Sequence, residues 1–243
     1  MNAAIVGYGR MGKMIEEILI QSGSVVSGKV DFDYFRSLSE IPGKIDVVID
    51  FSHPDNLENT LAFSKATGIP CVIGTTNLTN EQKALMKKTA SFAPVLYSAN
   101  YSLGVAVIKK AAKMLYEALG MDFDIEIIET HHNKKADAPS GTAKAIADAI
   151  DPENEIPRVY GREGATGARG KEIGLHAVRG GTVAGEHKVM FFGEDETLEI
   201  RHEAISRRIF AKGACRAAEW LIGKENGLYS MENVLWGEIK TTR

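Results

Sequence analysis

Short, continuously apolar runs alternate with helical stretches through the N-terminal part of the chain. Ala3–Val6 is apolar and ends at Gly7, and Lys13–Gln21 places Met14, Ile15, Ile18 and Leu19 at helical spacing. Further strands are predicted over Val25–Val30, Asp46–Phe51, Pro70–Ile73 and Pro94–Tyr97. Between them, helices are predicted over Asp55–Thr67, closed by Gly68, and over Thr79–Ser91, opened by the capping box Thr79-x-x-Gln82. Runs without polar alternation suit strands buried on both faces, and intervening helices supply the crossovers of a parallel sheet. The expected fold of this part is α/β, a Rossmann-like doubly wound parallel sheet.

The pattern then changes. A helix over Gly104–Leu119 precedes a strand over Phe123–Glu129, and a polar loop leads to a helix starting near Ser140. From Lys171 to Glu203 the runs KEIGLHAV, TVAGEHKVMFFG and ETLEIRHE follow one another around the turn Gly193-Glu194-Asp195. Strands without helices between them suggest antiparallel pairing, hence a smaller α+β domain with a mixed or antiparallel sheet. Asp151–Gly170, rich in Gly, Pro, Arg and Glu, reads as a long loop, and Ser206 opens a last helix through Leu221. The expected division is a first domain over 1–102, onto which 213–243 packs back, and a second over 103–212.

Composition narrows the partners. With 243 residues, 44% hydrophobic and 25% charged, and a net charge of -3, the chain has no global charge excess to attract nucleic acid or an anionic membrane. An anionic ligand must be gripped by a local cluster of cations. Cys71 and Cys215 are far apart and sit in apolar or helical patterns, so both read as core residues and no disulfide framework or zinc site is expected. No basic leader and no apolar run of membrane-spanning length is seen, and a cytoplasmic location is expected.

Gly7-Tyr8-Gly9-Arg10-Met11-Gly12 matches G-x-G-x-x-G directly after the first strand and at the start of the first helix. The first glycine makes the tight turn, the second lets the backbone approach a pyrophosphate, and the third permits close helix–strand packing. Asp31 follows roughly 20 residues later at the end of the second strand, where an acid accepts hydrogen bonds from the adenosine ribose. The first domain is therefore expected to bind a dinucleotide. Gly74-Thr75-Thr76 and Ser98-Ala99-Asn100-Tyr101 fall at two more strand C-termini and are further candidate contacts. His53 reads as a loop residue.

Glu129–Thr142, ETHHNKKADAPSGT, is the most unusual stretch. His131, His132, Lys134 and Lys135 lie just past a strand, and Ser140 is placed to cap a helix whose first N–H groups belong to Gly141 and Thr142. Cations beside a helix N-terminus suit a carboxylate or phosphate, and lysine or paired histidines can move a proton near neutral pH. A solvated basic loop before an ordinary cap is the bland alternative. No metal is expected, since adjacent histidines diverge in extended chain and the lysines repel a cation.

HHNKKADAPSGTA resembles the active-site motif of the dihydrodipicolinate reductases, and the likeness extends through GYGRMG, IDFS at 49–52 with its preceding Val48, GTT at 74–76, SANYSLGV at 98–105, RGGTVAGEHKVMFFG at 179–193 and SRRIFAKGACRAAEWL at 206–221. The resemblance implies NADH- or NADPH-dependent reduction of 4-hydroxy-tetrahydrodipicolinate, a small dicarboxylate, with loss of water, in the diaminopimelate route to lysine. It implies a second domain that binds substrate and builds a homotetramer through its sheet. By the same resemblance His131 is a proton donor/acceptor and Lys135 a proton donor, while His132, Gly141 and Thr142 hold substrate carboxylate. Gly7–Gly12, Asp31, Gly74–Thr76 and Ser98–Tyr101 correspond to nucleotide contacts.

One departure concerns the cofactor. Many members carry an extra residue in the glycine turn, and some place an arginine after the acid, where this chain has Phe32. Without that arginine the expectation leans to NADH or dual use, with Lys29 or Arg10 as compensating cations for NADPH. Two other readings are a different two-domain nicotinamide dehydrogenase, for example of an open-chain amino acid, and a nucleotide-binding sensor without catalysis. The glycine turn fits all three; HHNKKADAPSGT favours the reductase.

Overall fold

A computed structural model describes residues 1–237. The chain forms two compact units, Met1–Leu103 with the segment from Arg208 on, and Gly104–Arg207. The expected return of 213–243 is therefore described only as far as residue 237. In chain order the first unit contributes β1 (Asn2–Val6), α1 (Arg10–Gln21), β2 (Val25–Val30), β3 (Val47–Asp50), α2 (Leu57–Thr67), β4 (Cys71–Ile73), α3 (Asn80–Thr89) and β5 (Pro94–Tyr97). Next come α4 (Leu103–Leu119), β6 (Asp124–His131), α5 (Gly141–Ile150), β7 (Arg158–Tyr160), β8 (Ile173–Arg179), β9 (Glu186–Phe192) and β10 (Thr197–Glu203). The chain then returns to the first unit as α6 (Arg208–Leu221), β11 (Gly227–Tyr229) and α7 (Met231–Trp236).

The first sheet runs β11-β5-β4-β3-β1-β2 with every pair parallel. Its inner strands β1, β3, β4 and β5 are buried on both faces. Ala4, Val6, Val48, Cys71, Ile73 and Val95 pack with Leu57 and Leu61 of α2 and Met86 of α3. The alternate positions Ala3, Ile5, Val47, Ile49, Val72 and Leu96 are equally inaccessible. Small residues along α6, among them Ala211, Ala214 and Ala217, are fully buried, and Cys215 Sγ reaches Ile15 O of α1 at 3.8 Å. Strand order reverses at β1, whose neighbours are β2 and β3, and a crevice at such a switch point is where open parallel sheets take ligands.

The second sheet runs β10-β9-β6-β8-β7. β9 pairs antiparallel with both β10 and β6, but β6–β8 and β8–β7 are parallel. Of the expected mixed or antiparallel sheet, the mixed form is the one observed. β8 and β9 follow each other in sequence yet flank β6, which comes earlier. One face carries Ile125, Ile127, Ile173, Leu175, Val189 and Phe191, packed on Ile108 and Ala112 of α4 and Ile146 and Ile150 of α5.

Three further corrections concern element bounds. β7 interrupts the segment expected to be a continuous loop over 151–170. β11 and α7 had no clear periodicity because each is very short. β6 continues two residues beyond Glu129, because Thr130 and His131 keep register with Val178 and Arg179 of β8. No described helix is long and apolar enough to cross a membrane.

Candidate active site

The glycine turn is shaped as its spacing predicts. Gly7 has φ +84°, and a Cβ there would lie 2.6 Å from Ser52 Cα, so the turn runs directly against the end of β3. A Cβ on Gly12 would lie 2.2 Å from Gly7 O, which is why α1 can start so close to β1. Gly9 occupies the N-cap of α1 and faces open space. Asp31 Oδ2 accepts from Tyr8 N at 2.5 Å and Oδ1 from Phe32 N at 2.6 Å, tying the end of β2 to the turn. Between them opens a crevice of about 330 Å³ lined by Gly7, Gly9, Asp31, Arg36, Ser52 and His53, among others. A turn without side-chain bulk, a helix N-terminus and a carboxylate at the second strand's end fit the pyrophosphate and ribose of a dinucleotide.

The remaining candidates of this unit lie along the same C-terminal edge of the sheet, but not all present side chains outward. Thr75 is buried, and its Oγ1 donates to Asp50 Oδ1 at 3.0 Å. Tyr101 is a core residue whose hydroxyl donates to Ile73 O at 2.8 Å and whose ring leans on Phe51. Ser98 Oγ donates to Asn100 O at 2.7 Å, closing a turn that leaves Ala99 exposed. Gly74 follows β4, and Thr76 and Arg10 are exposed while Met11 is half-buried. Asp50, fully buried, also accepts from the hydroxyls of Ser52 and Thr60, each at 2.6 Å. The run VIDFS therefore carries an internal anchor that holds Ser52 and Thr75 at the switch point.

In the second unit the centre is Glu129, a residue not singled out from the sequence as part of the site. Its carboxylate is 0% exposed. Oε2 accepts from His131 Nδ1 at 2.5 Å and from Arg179 Nη1 at 2.8 Å; Oε1 accepts from Arg179 Nη2 at 2.7 Å and from Ser140 N at 2.9 Å. Every lone-pair direction is thereby used, which is what a buried carboxylate requires. Burial pushes its pKa up, but Arg179, His131 and the Ser140 N–H outweigh that and hold it below the usual carboxylate range. Hydrogen bonding to Glu129 raises the Arg179 pKa in return.

The carboxylate also decides the chemistry of His131. Because Glu129 can only accept, Nδ1 carries the proton and Nε2 is the nitrogen left for exchange. Burial lowers the His131 pKa; Glu129 opposes this, while the nearby charges of Lys135 and Arg179 add to it. Its ring meets His187 edge-on at 5.2 Å between centroids. His187 is buried, and burial followed by the charge of His131 brings its pKa down to about 4. Ser140 Oγ accepts from Ala143 N at 3.1 Å as the cap of α5, and lies 3.1 Å from His187 Nε2. With one lone pair given to the cap, its proton is free to go to that nitrogen.

The polar loop runs from His132 to Pro139, entering the helix through a cis Ala138–Pro139 bond. His132 keeps Nδ1 buried without a hydrogen-bond partner among the described residues. Lys135 Nζ lies 2.7 Å from Asp137 Oδ1, and the pKa of Asp137 is lowered first by Lys135 and also by the Gly141 N–H. The helix start was expected to be open at Gly141 and Thr142; instead Asp137 faces the Gly141 N–H, and Thr142 has contacts of its own. The Asp137 carboxylate thus lies against both Lys135 and the start of α5. Gly141 is exposed, Thr142 half-buried, and Lys134 exposed. Among the described residues there is no cluster of ligands for a metal.

Arg179, His187, Ser52 and Arg36 likewise do not stand out in the sequence. The RGG…GEH run containing the first two carried the resemblance, but only the register of β6 with β8 and β9 brings them to Glu129. Two family models span nearly the whole chain: "Dihydrodipicolinate reductase, N-terminus" matches residues 1–101 and "Dihydrodipicolinate reductase, C-terminus" residues 104–235. The chain belongs to the dihydrodipicolinate reductase family. It is 42% identical to the 4-hydroxy-tetrahydrodipicolinate reductase of an Exiguobacterium species over 96% of its length and 95% of that protein. It is 48% identical to that of Pseudomonas fluorescens over 86% of its length and 80% of the relative. The dipicolinate-bound dihydrodipicolinate reductase of Paenisporosarcina shares the fold, with TM-score 0.75 and 24% identity over 96% of this chain and 99% of that one. A diaminopimelate dehydrogenase of C. glutamicum shares it more distantly, with TM-score 0.53 and 13% identity over 98% and 96%.

Members of this reductase family use a pyridine nucleotide, and the glycine turn, Asp31 and the crevice have the shape and donors to fit one. The cations and α5 start of the second unit suit the dicarboxylate.

Proposed function

We propose that this chain reduces 4-hydroxy-tetrahydrodipicolinate to tetrahydrodipicolinate, with loss of water, in the diaminopimelate route to lysine. The observation that carries the reading is the second unit's anion position. There Lys135 and the first turn of α5 converge on a carboxylate, beside a histidine whose tautomer is set by buried Glu129. The two alternatives from the sequence gain nothing, because an open-chain amino-acid dehydrogenase or a sensor has no need of this constellation.

NADH or NADPH supplies the hydride when bound to the first unit through Gly7–Gly12 and Asp31. The chain's own residues do the rest. His132, with its unpartnered Nδ1, and the N–H groups of Gly141 and Thr142 hold substrate carboxylate, and a charge-assisted contact there is stronger than a neutral one. Lys135 delivers the proton to the carbon next to the one reduced, as an ammonium released from Asp137. His131 exchanges protons at Nε2 while Glu129 and Arg179 keep its ring fixed. Orientation of this kind accounts for a large share of many enzymic rate gains.

A homotetramer belongs to the same proposal. Its support is the second face of the mixed sheet, where Val178 is 47% and Phe192 39% exposed.

The test is an assay with freshly generated substrate and NADH and NADPH in parallel, followed by loss of reduced-nucleotide absorbance. Oxidation of at least one cofactor, dependent on substrate, is expected. Tight nucleotide binding without oxidation of either removes the reductase reading.

A further inference from the structure

NADH and NADPH differ only at the adenosine ribose, where the first has a 2′-hydroxyl and the second a 2′-phosphate. A hydroxyl suits an acceptor such as Asp31, and a phosphate needs a cation. Of the two cations considered from the sequence, Lys29 is committed elsewhere. Its Nζ lies 2.8 Å from Glu16, 4.3 Å from the centre of the Tyr8 ring and 5.0 Å from that of Tyr34. Tyr8 in turn donates to Glu16 through its hydroxyl. Moving Lys29 to a phosphate would break this set. Arg10 is the first residue of α1, beside the glycine turn rather than beside the acid.

A third cation is brought in by the chain's path after β2. Tyr34 N donates to Asp31 O, Asp31 N to Phe35 O, and Phe35 N to Lys29 O, while Val30 and Phe35 form an isolated bridge. This tight reversal carries Arg36 back to the end of β2. Arg36 consequently lines the same crevice as Gly7, Gly9 and Asp31, and it also lines the adjoining cavity of about 660 Å³ with Ser37 and Asn56. Its backbone N–H donates to Glu40 at 2.9 Å. Its guanidinium has no hydrogen-bond or ion-pair partner among the described residues. Asp31 is by contrast engaged by two backbone N–H groups, so its charge is partly satisfied before any ligand arrives.

We propose that Arg36 is the specificity-determining residue that admits the 2′-phosphate, so that the crevice takes NADPH through Arg36 and NADH through Asp31. A guanidinium presents a planar fork of N–H donors matched to phosphate oxygens, and one without a prior protein partner breaks no ion pair on binding. The absence of arginine directly after Asp31 is made good five positions from the acid, by a turn that sequence spacing does not reveal. The inference rests on the reductase reading only for the identity of the nucleotide.

Calorimetric titration of the full-length protein with adenosine 2′,5′-bisphosphate, 5′-AMP, NADPH and NADH tests it without turnover. In Arg36→Met the affinities for adenosine 2′,5′-bisphosphate and NADPH should fall about tenfold or more, those for 5′-AMP and NADH far less. The salt dependence of bisphosphate binding should also weaken. Arg36→Lys should recover part of the loss, which a merely structural role of the loop would not produce. An equal loss for NADH and NADPH, or no loss for NADPH, overturns the assignment while leaving the reductase intact. A wild-type protein that binds none of the four ligands removes the nucleotide reading itself, and this inference with it.

Discussion

His131 Nδ1 lies 2.5 Å from Oε2 of Glu129, whose carboxylate is fully buried and forked on its other side by Arg179. The pair leaves Nε2 as the nitrogen of His131 available for proton exchange. Replacing Glu129 with Gln keeps the shape but can offer His131 an N–H instead of an oxygen, and leaves the Arg179 charge short of its partner. We expect kcat to fall about a hundredfold or more, as for other histidines that lose an orienting carboxylate. A stability loss of roughly 3–5 kcal/mol should accompany it, from breaking a buried ion pair. Steady-state kinetics on variant protein shown to bind nucleotide is the check, and an unchanged kcat would mean that the histidine needs no orienting partner.

The neighbouring His187 makes stability depend on pH. Its folded pKa of about 4 lies below the ordinary 6.5, so between those values the unfolded chain binds more protons than the folded one. The contribution is complete above 6.5 and is lost as pH falls toward 4, amounting to about 3 kcal/mol at most. His131 is shifted in the same direction and adds to the slope. Between pH 7 and pH 5 the urea midpoint should drop further for the wild type than for His187→Gln. Equal drops would show that His187 titrates normally.

Asp137 sits where a substrate carboxylate is expected, on Lys135 and the first N–H of α5. An internal anion at a binding position competes with the ligand, so Asp137→Asn should lower KM for the dicarboxylate severalfold with little change in KM for nucleotide. If KM for the dicarboxylate rises instead, Asp137 serves to aim Lys135 and does not compete.

Most of the first unit was legible in the sequence because its determinants are local. The alternation of apolar run and helix, the Thr79 capping box and the glycine turn each act within a few residues. The sheet of the second unit was less legible, since β6 inserts between β9 and β8 and no local pattern encodes that order. The site divides in the same way. His131, His132 and Lys135 stand out as a run, whereas Glu129 looks like an ordinary strand residue until Arg179 and Ser140 are folded onto it. Arg36 was hidden for a related reason: only the reversal after Asp31 brings it to the crevice. Tyr101 and Thr75 show the converse, as polar residues at strand ends whose hydroxyls are spent inside the unit.

Proton delivery by Lys135 is tested by the turnover of Lys135→Ala, with nucleotide affinity measured on the same preparation. Lys135 belongs to the second unit, whereas the glycine turn and Asp31 belong to the first, so its loss should leave nucleotide binding in place. With Lys135 as the proton donor, kcat falls by about a hundredfold or more, in line with removal of a general acid, while the dissociation constants for NADH and NADPH stay within about twofold. Turnover close to the wild type would contradict the assignment of Lys135 as the group that delivers the proton.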